Sequence, residues 1–160
     1  MDTIEAHSDW YNRTTKDIGS CKDTLSQKEA KKYKLDLLLR IAKRVEDFTS
    51  LCGECELSQQ EINALTQDLG YLVQMPNPNK EARKRYFKTI DNLVEHLKKE
   101  HKLVTEGQNQ GKWIVAGMAV SAAIGAAVNQ PGVGTVVGVA LGIAIGKYMD
   151  KKAKEEGRII

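Results

Sequence analysis

Between Trp113 and Gly146 the chain runs for 34 residues without an Asp, Glu, Lys, Arg or His. Within that run Gly134, Gly138, Gly142 and Gly146 stand four apart, and Gly117, Ser121 and Gly125 repeat the spacing earlier. Charged residues make up 28% of the 160-residue chain, so all of them crowd into the rest of it. The mean hydropathy of -0.42 therefore averages two unlike segments. A small residue at every fourth position gives a helix one flat face, along which a second backbone can lie close. In water each interior glycine weakens a helix by nearly ~1 kcal/mol relative to alanine, so a partner has to cover that face.

The run divides in two. Trp113–Val128 and Gly132–Gly146 flank Asn129-Gln130-Pro131-Gly132, a strong turn signal. A 16-residue helix rises ~24 Å, short for a hydrocarbon core of about 30 Å. A marginal span then requires Lys112, Lys147 and the polar tip to occupy the interfaces, and Trp113 and Tyr148 stand where interfacial aromatics belong. Lys98, Lys99, Lys102 and Lys112 precede the run, Lys147, Lys151, Lys152, Lys154 and Arg158 follow it, and none lies at the tip. The positive-inside rule places both ends in the cytoplasm. The expected helix-packing residues are Gly117, Ser121, Gly125, Gly134, Gly138, Gly142 and Gly146. The competing reading is a hairpin buried within its own soluble oligomer.

The charged part reads as helices. Residues 1–23 form a loose or locally helical arm, and 24–106 a helical head. Ser26 and Glu29 have capping-box spacing and open a helix to about Ser50, with Tyr33, Leu37, Leu38, Ile41, Val45 and Phe48 as its apolar stripe. Ser58 and Glu61 repeat the spacing, and Leu57 with Ile62 would staple the same helix start. Ile62, Leu65, Leu69, Leu72 and Val73 form that helix's inner face, Met75-Pro76-Asn77-Pro78 ends it, and Asn79 caps a third from Lys80 to about Thr105 on Tyr86, Ile90, Leu93, Leu97 and Val104. Residues 107–112 read as a polar hinge, 113–149 as the glycine-repeat hairpin and 150–160 as a basic tail. The expected fold is all-α: a three-helix antiparallel bundle followed by a two-helix glycine-zipper membrane hairpin.

The three cysteines follow no apolar leader, which argues for a reducing compartment and against a disulfide framework. Cys52-x-x-Cys55 offers two soft ligands on one tight turn, half of a tetrahedral zinc site. The second and third helices are of similar length, so His96 returns to the level of that turn, with His101 nearby. Cys52, Cys55, His96 and His101 are thus the expected metal ligands, with zinc in a structural role. One point opposes it: histidines five apart diverge by roughly 140° on a helix. The alternatives are a core-packed His101 beside two incidental thiols, or a reversible Cys52–Cys55 redox pair.

Taken together, the Cys-x-x-Cys turn, the segment His96-Leu97-Lys98-Lys99-Glu100-His101, the glycine repeat and Asp150–Arg158 resemble a group of small, largely uncharacterised bacterial membrane proteins. The resemblance covers about residues 50–160. It implies a bacterial inner-membrane protein and carries no activity with it.

No nucleophile–base pair, phosphate loop or carboxylate dyad is present, so no enzyme and no small-molecule substrate are expected. A net charge of +3 gives no argument for nucleic acid. The leading expectation is a membrane-associated, self-assembling glycine-zipper protein that permeabilises the bilayer as a homo-oligomeric pore. The others are an anchored scaffold whose zinc-tied head recruits a cytoplasmic protein partner, and a Cys-x-x-Cys redox or metal sensor.

Overall fold

A computed structural model describes residues 8–75, 79–127 and 131–160. The chain is all-α: the described residues form seven helices and no strand. They divide into two compact units, Met1–His101 and Lys102–Ile160.

The first unit holds five helices rather than three. Helix α1 (Asp9–Thr24) occupies most of the expected arm, and its N-cap Ser8 accepts the Tyr11 N–H at 3.2 Å. Helix α2 (Gln27–Lys32) opens on the Ser26–Glu29 capping box. It does not run on to Ser50, because Lys34 adopts φ 55° and ψ 37° and a new helix, α3 (Leu35–Phe48), begins after it. A left-handed lysine costs roughly 1–2 kcal/mol. Two hydrogen bonds at buried groups oppose that cost: the Tyr86 hydroxyl donates to the Tyr33 carbonyl at 2.9 Å, and the Tyr33 hydroxyl to the Leu72 carbonyl at 3.3 Å. In an unbroken helix the Tyr33 carbonyl would be engaged by the Leu37 N–H instead.

Helix α4 (Gly53–Gln74) starts five residues before the expected Ser58 cap. Ser58 is a helix-interior residue whose hydroxyl donates to the Glu54 carbonyl at 2.8 Å, and Leu57 is exposed, so neither the second capping box nor the staple forms. Nothing from Glu54 to Leu57 resists helix, and Glu54 and Glu56 suit the positive end of the helix dipole. Helix α5 (Lys80–Glu100) is capped by Asn79, which accepts the Glu81 N–H at 2.9 Å. The expected stop at Pro76–Pro78 lies outside the described residues. Helix α1 packs on α3 and α4, α3 on α4 and α5, and α4 on α5. Leu38, Ile41, Val45, Ile62, Leu69, Tyr86, Ile90 and Leu97 are fully buried between them.

The second unit contains α6 (Gln108–Ala127) and α7 (Pro131–Glu155). Helix α6 begins inside the segment expected to be a hinge. The Asp150 carboxylate on α7 accepts the Asn109 and Gln110 N–H groups at 3.1 Å each, satisfying two donors that a helix start leaves open. The expected basic tail continues α7 to Glu155 and then folds back. The Arg158 carbonyl accepts the Val104 N–H at 2.8 Å, and the Ile160 N–H donates to the Val104 carbonyl at 2.9 Å. Leu103, Ala153 and Ile160 are buried at that end.

Along the hairpin α6 and α7 approach at backbone distance. A Cβ on Gly117 would strike the Gly138 carbonyl, and one on Gly138 would strike Ser121 and the Gly117 carbonyl. On Gly142 it would meet Trp113 and come within 2.8 Å of Ile114 Cα, and on Gly146 it would meet the backbone of Gln110. Ser121, Gly125, Gly138, Gly142 and Gly146 are buried, and Gly134 lies on α7.

The membrane expectation is overturned: no helix of the described residues is long and apolar enough to cross a bilayer. The reason is where the helices find their length. Helix α6 reaches 20 residues by including Gln108-Asn109-Gln110-Gly111-Lys112, leaving 15 apolar ones from Trp113 to Ala127, or ~22 Å. Helix α7 reaches 25 residues by including the charged stretch from Lys147 to Glu155, leaving 16 from Pro131 to Gly146, or ~24 Å. Both fall short of about 30 Å, and glycine and alanine dilute their hydropathy further. With the span go the permeabilising pore and the inner-membrane localisation with two cytoplasmic ends.

Candidate metal centre

The site lies where α4 begins and α5 ends. Cys52 is the N-cap of α4 and Cys55 stands in its first turn. His96 is on the last turns of α5, and His101 is its C-cap, with φ -102° and ψ 6°. His101 still donates its N–H to the Leu97 carbonyl at 3.2 Å, yet its φ departs from the helical value, and its ring converges on the same point as His96 despite the five-residue spacing.

One ligand atom from each of Cys52, Cys55, His96 and His101 lies within 4.8 Å of all the others. Cys52 Sγ is 3.6 Å from His96 Nε2, Cys55 Sγ is 3.4 Å from His96 Nε2, and Cys55 Sγ is 3.3 Å from His101 Nε2. Metal–sulfur bonds of about 2.3 Å and metal–nitrogen bonds of about 2.0–2.1 Å at the tetrahedral angle put sulfur and nitrogen about 3.5 Å apart. These three sulfur–nitrogen separations match that spacing, and the four side chains could hold a metal ion.

Two further residues shape the site, and neither was expected. His96 Nδ1 lies 3.2 Å from the Glu54 carboxylate, and an Nδ1–H donated to that carboxylate would leave the Nε2 lone pair facing the sulfurs. Phe48 stacks on His101 with centroids 3.9 Å apart and planes 15° from parallel. Sequence reasoning placed Phe48 in a core stripe and passed over Glu54. The only signal for Glu54 was its place between the two cysteines.

At Cys55 and His101 the electrostatics favour the neutral side chain. Cys55 is fully buried, and burial, followed by hydrogen bonding and charge from Cys52 and by the Glu54 carboxylate, pushes its thiol pKa up to about 12. Burial also lowers the pKa of His101, with His96 adding to the effect. A divalent ion with two thiolates and two neutral imidazoles would sum to zero net charge, the arrangement a buried site tolerates best. Beside His96 a groove of about 720 Å³ opens between α4 and α5, lined by Glu54, Leu57, Glu61, Leu93, Glu95 and Glu100 among others. Cys21 takes no part in the cluster. Set against protein-family models, curated proteins and solved structures, the chain matches none of them.

Proposed function

We propose that this protein is a metal-stabilised helical binding module, in which a structural zinc ion ties the start of α4 to the end of α5 and a protein partner docks beside it. The convergence of two sulfurs and two imidazole nitrogens within 4.8 Å, with three sulfur–nitrogen separations of 3.3 to 3.6 Å, carries this reading. Two thiolates and two imidazoles suit zinc in a borderline-soft tetrahedral site. Four protein ligands leave no coordination position for water or substrate, which supports a structural rather than a catalytic ion. The burial of Cys55 favours a permanent ion over a reversible redox pair, whose thiol has to be accessible. The groove next to His96 has one wall whose shape depends on the ligand set, and this supports recognition of a partner at that end.

Elemental analysis of the purified full-length chain tests the site. One zinc per chain is expected, exchangeable for cobalt with the intense visible bands of a tetrahedral sulfur–nitrogen site, and lost in Cys55→Ala. Substoichiometric metal after zinc reconstitution, or an octahedral cobalt spectrum, would overturn the reading.

A further inference from the structure

The groove beside the metal centre is anionic and apolar at once. On its α4 wall Glu54 and Glu61 stand seven residues apart, so they share one helix face to within about 20° and lie ~10.5 Å apart along the axis. Leu57 sits between them and is 63% exposed. The α5 wall contributes Glu95, Lys99 and Glu100, all exposed. Four carboxylates against one ammonium give these side chains a net charge of −3. Carboxylates by themselves suit solvent or a simple cation. A leucine held open among them suits neither, since only an apolar contact removes its surface from water.

We infer that the groove takes a cationic, amphipathic segment of a protein partner, with an apolar side chain on Leu57 and Lys or Arg on either side reaching Glu54 and Glu61. This names the partner of the docking reading above and rests on it. A helical segment with basic residues seven apart and a leucine between them matches the α4 wall, two turns laid on two turns. The sign of the charge selects this occupant, because an acidic segment would set like charges against the groove. The leucine contact supplies affinity, whereas the carboxylates set orientation and salt dependence. Glu54 also lies 3.2 Å from His96 Nδ1, so the ligand set shapes that end of the groove. Glu61, two turns further along α4, offers a handle on the groove that does not touch the ligands.

Fluorescence anisotropy on the zinc-loaded full chain tests the inference, with a labelled alanine-based helical peptide carrying lysines seven apart and a leucine between them. Saturable one-to-one binding is expected, weakening as salt rises from about 0.05 M to about 0.5 M. Glu61→Lys should raise the dissociation constant at least ~10-fold and Leu57→Ala at least ~5-fold. Both residues are exposed, so helix content by circular dichroism and zinc per chain should not change. The same peptide with glutamates for lysines should not bind.

A chain that holds zinc but does not bind the peptide would overturn the inference and leave the metal site standing. So would binding indifferent to Glu61→Lys or to salt, or equal binding of the glutamate peptide. Peptide binding of the expected pattern by a chain that takes up no zinc would support the inference and overturn the metal site instead. Displacement of the peptide by an equal concentration of spermidine would overturn it in favour of a small polycation. A dimer in sedimentation velocity that Glu61→Lys abolishes would overturn it in favour of a second copy.

Discussion

Stripping the metal should lower the melting temperature of the first unit without abolishing its fold. That unit spans Met1–His101 and has its own apolar core, which predicts a stability of roughly 5–15 kcal/mol. An ion bound only by the folded form adds RT ln(1 + [L]/Kd), or about 4 kcal/mol when free zinc stands at a thousand times Kd. For a unit of this size 1 kcal/mol corresponds to about 4 °C, so chelation should lower the melting temperature by about 16 °C. The loss should concentrate at the ligand end, because Cys52, Cys55, His96 and His101 join the first turn of α4 to the end of α5 and little else. Thermal melts followed by circular dichroism, with and without a chelator, give the shift. Cys55→Ser closes the cycle. It adds about 1–3 kcal/mol of destabilisation from a buried hydroxyl without its partner, and it should erase the chelator effect, since both perturbations remove the same ion. A wild-type melting temperature unchanged by chelation, or a chelator shift of full size surviving in Cys55→Ser, would refute the reasoning.

Three other substitutions probe separate features. Glu54→Gln should keep the ligand set but weaken zinc about 10- to 100-fold, as competition with a chromophoric chelator will measure, because the carboxylate that holds His96 Nδ1 becomes a neutral amide. Gly142→Val should separate α6 from α7, since its Cβ would come within 2.8 Å of Ile114 Cα; a loss of about 3 kcal/mol or more from the second unit is expected in denaturant melts. Asp150→Ala removes the acceptor for the Asn109 and Gln110 N–H groups and should cost about 1 kcal/mol, with hydrogen exchange quickened at those two amides.

The apolar stripes were largely legible because helical periodicity depends on local spacing: Ile62, Leu65, Leu69 and Leu72 on α4, and Tyr86, Ile90, Leu93 and Leu97 on α5, are buried as their spacing requires, whereas Val73 is only half-buried and Val104 stands beyond the end of α5. The ligand cluster was legible for a different reason. Two helices of matched length packed on each other return His96 to the level of Cys52. The helix starts were less readable. Ser58 carries the stronger capping pattern, yet α4 begins at Gly53, because a cap signal competes with whatever the preceding residues permit. The break at Lys34 could not be read at all, since it depends on the Tyr86 hydroxyl, 53 residues away, claiming the Tyr33 carbonyl. The uncharged run misled most. Absence of charge reads as lipid exposure only when side chains are large enough to supply hydropathy, and here glycine and alanine take up that space.

The stacking of Phe48 on His101 has a spectroscopic consequence. With the imidazole lying 3.9 Å above the ring and only 15° from parallel, its carbon-bound protons sit in the shielding cone of the benzene current. Their resonances should move far upfield of ordinary histidine positions whenever α3 and the end of α5 are in register. A single pair of proton lines would then report closure of the ligand end, whichever ion occupies it, including one with no colour and no unpaired electron.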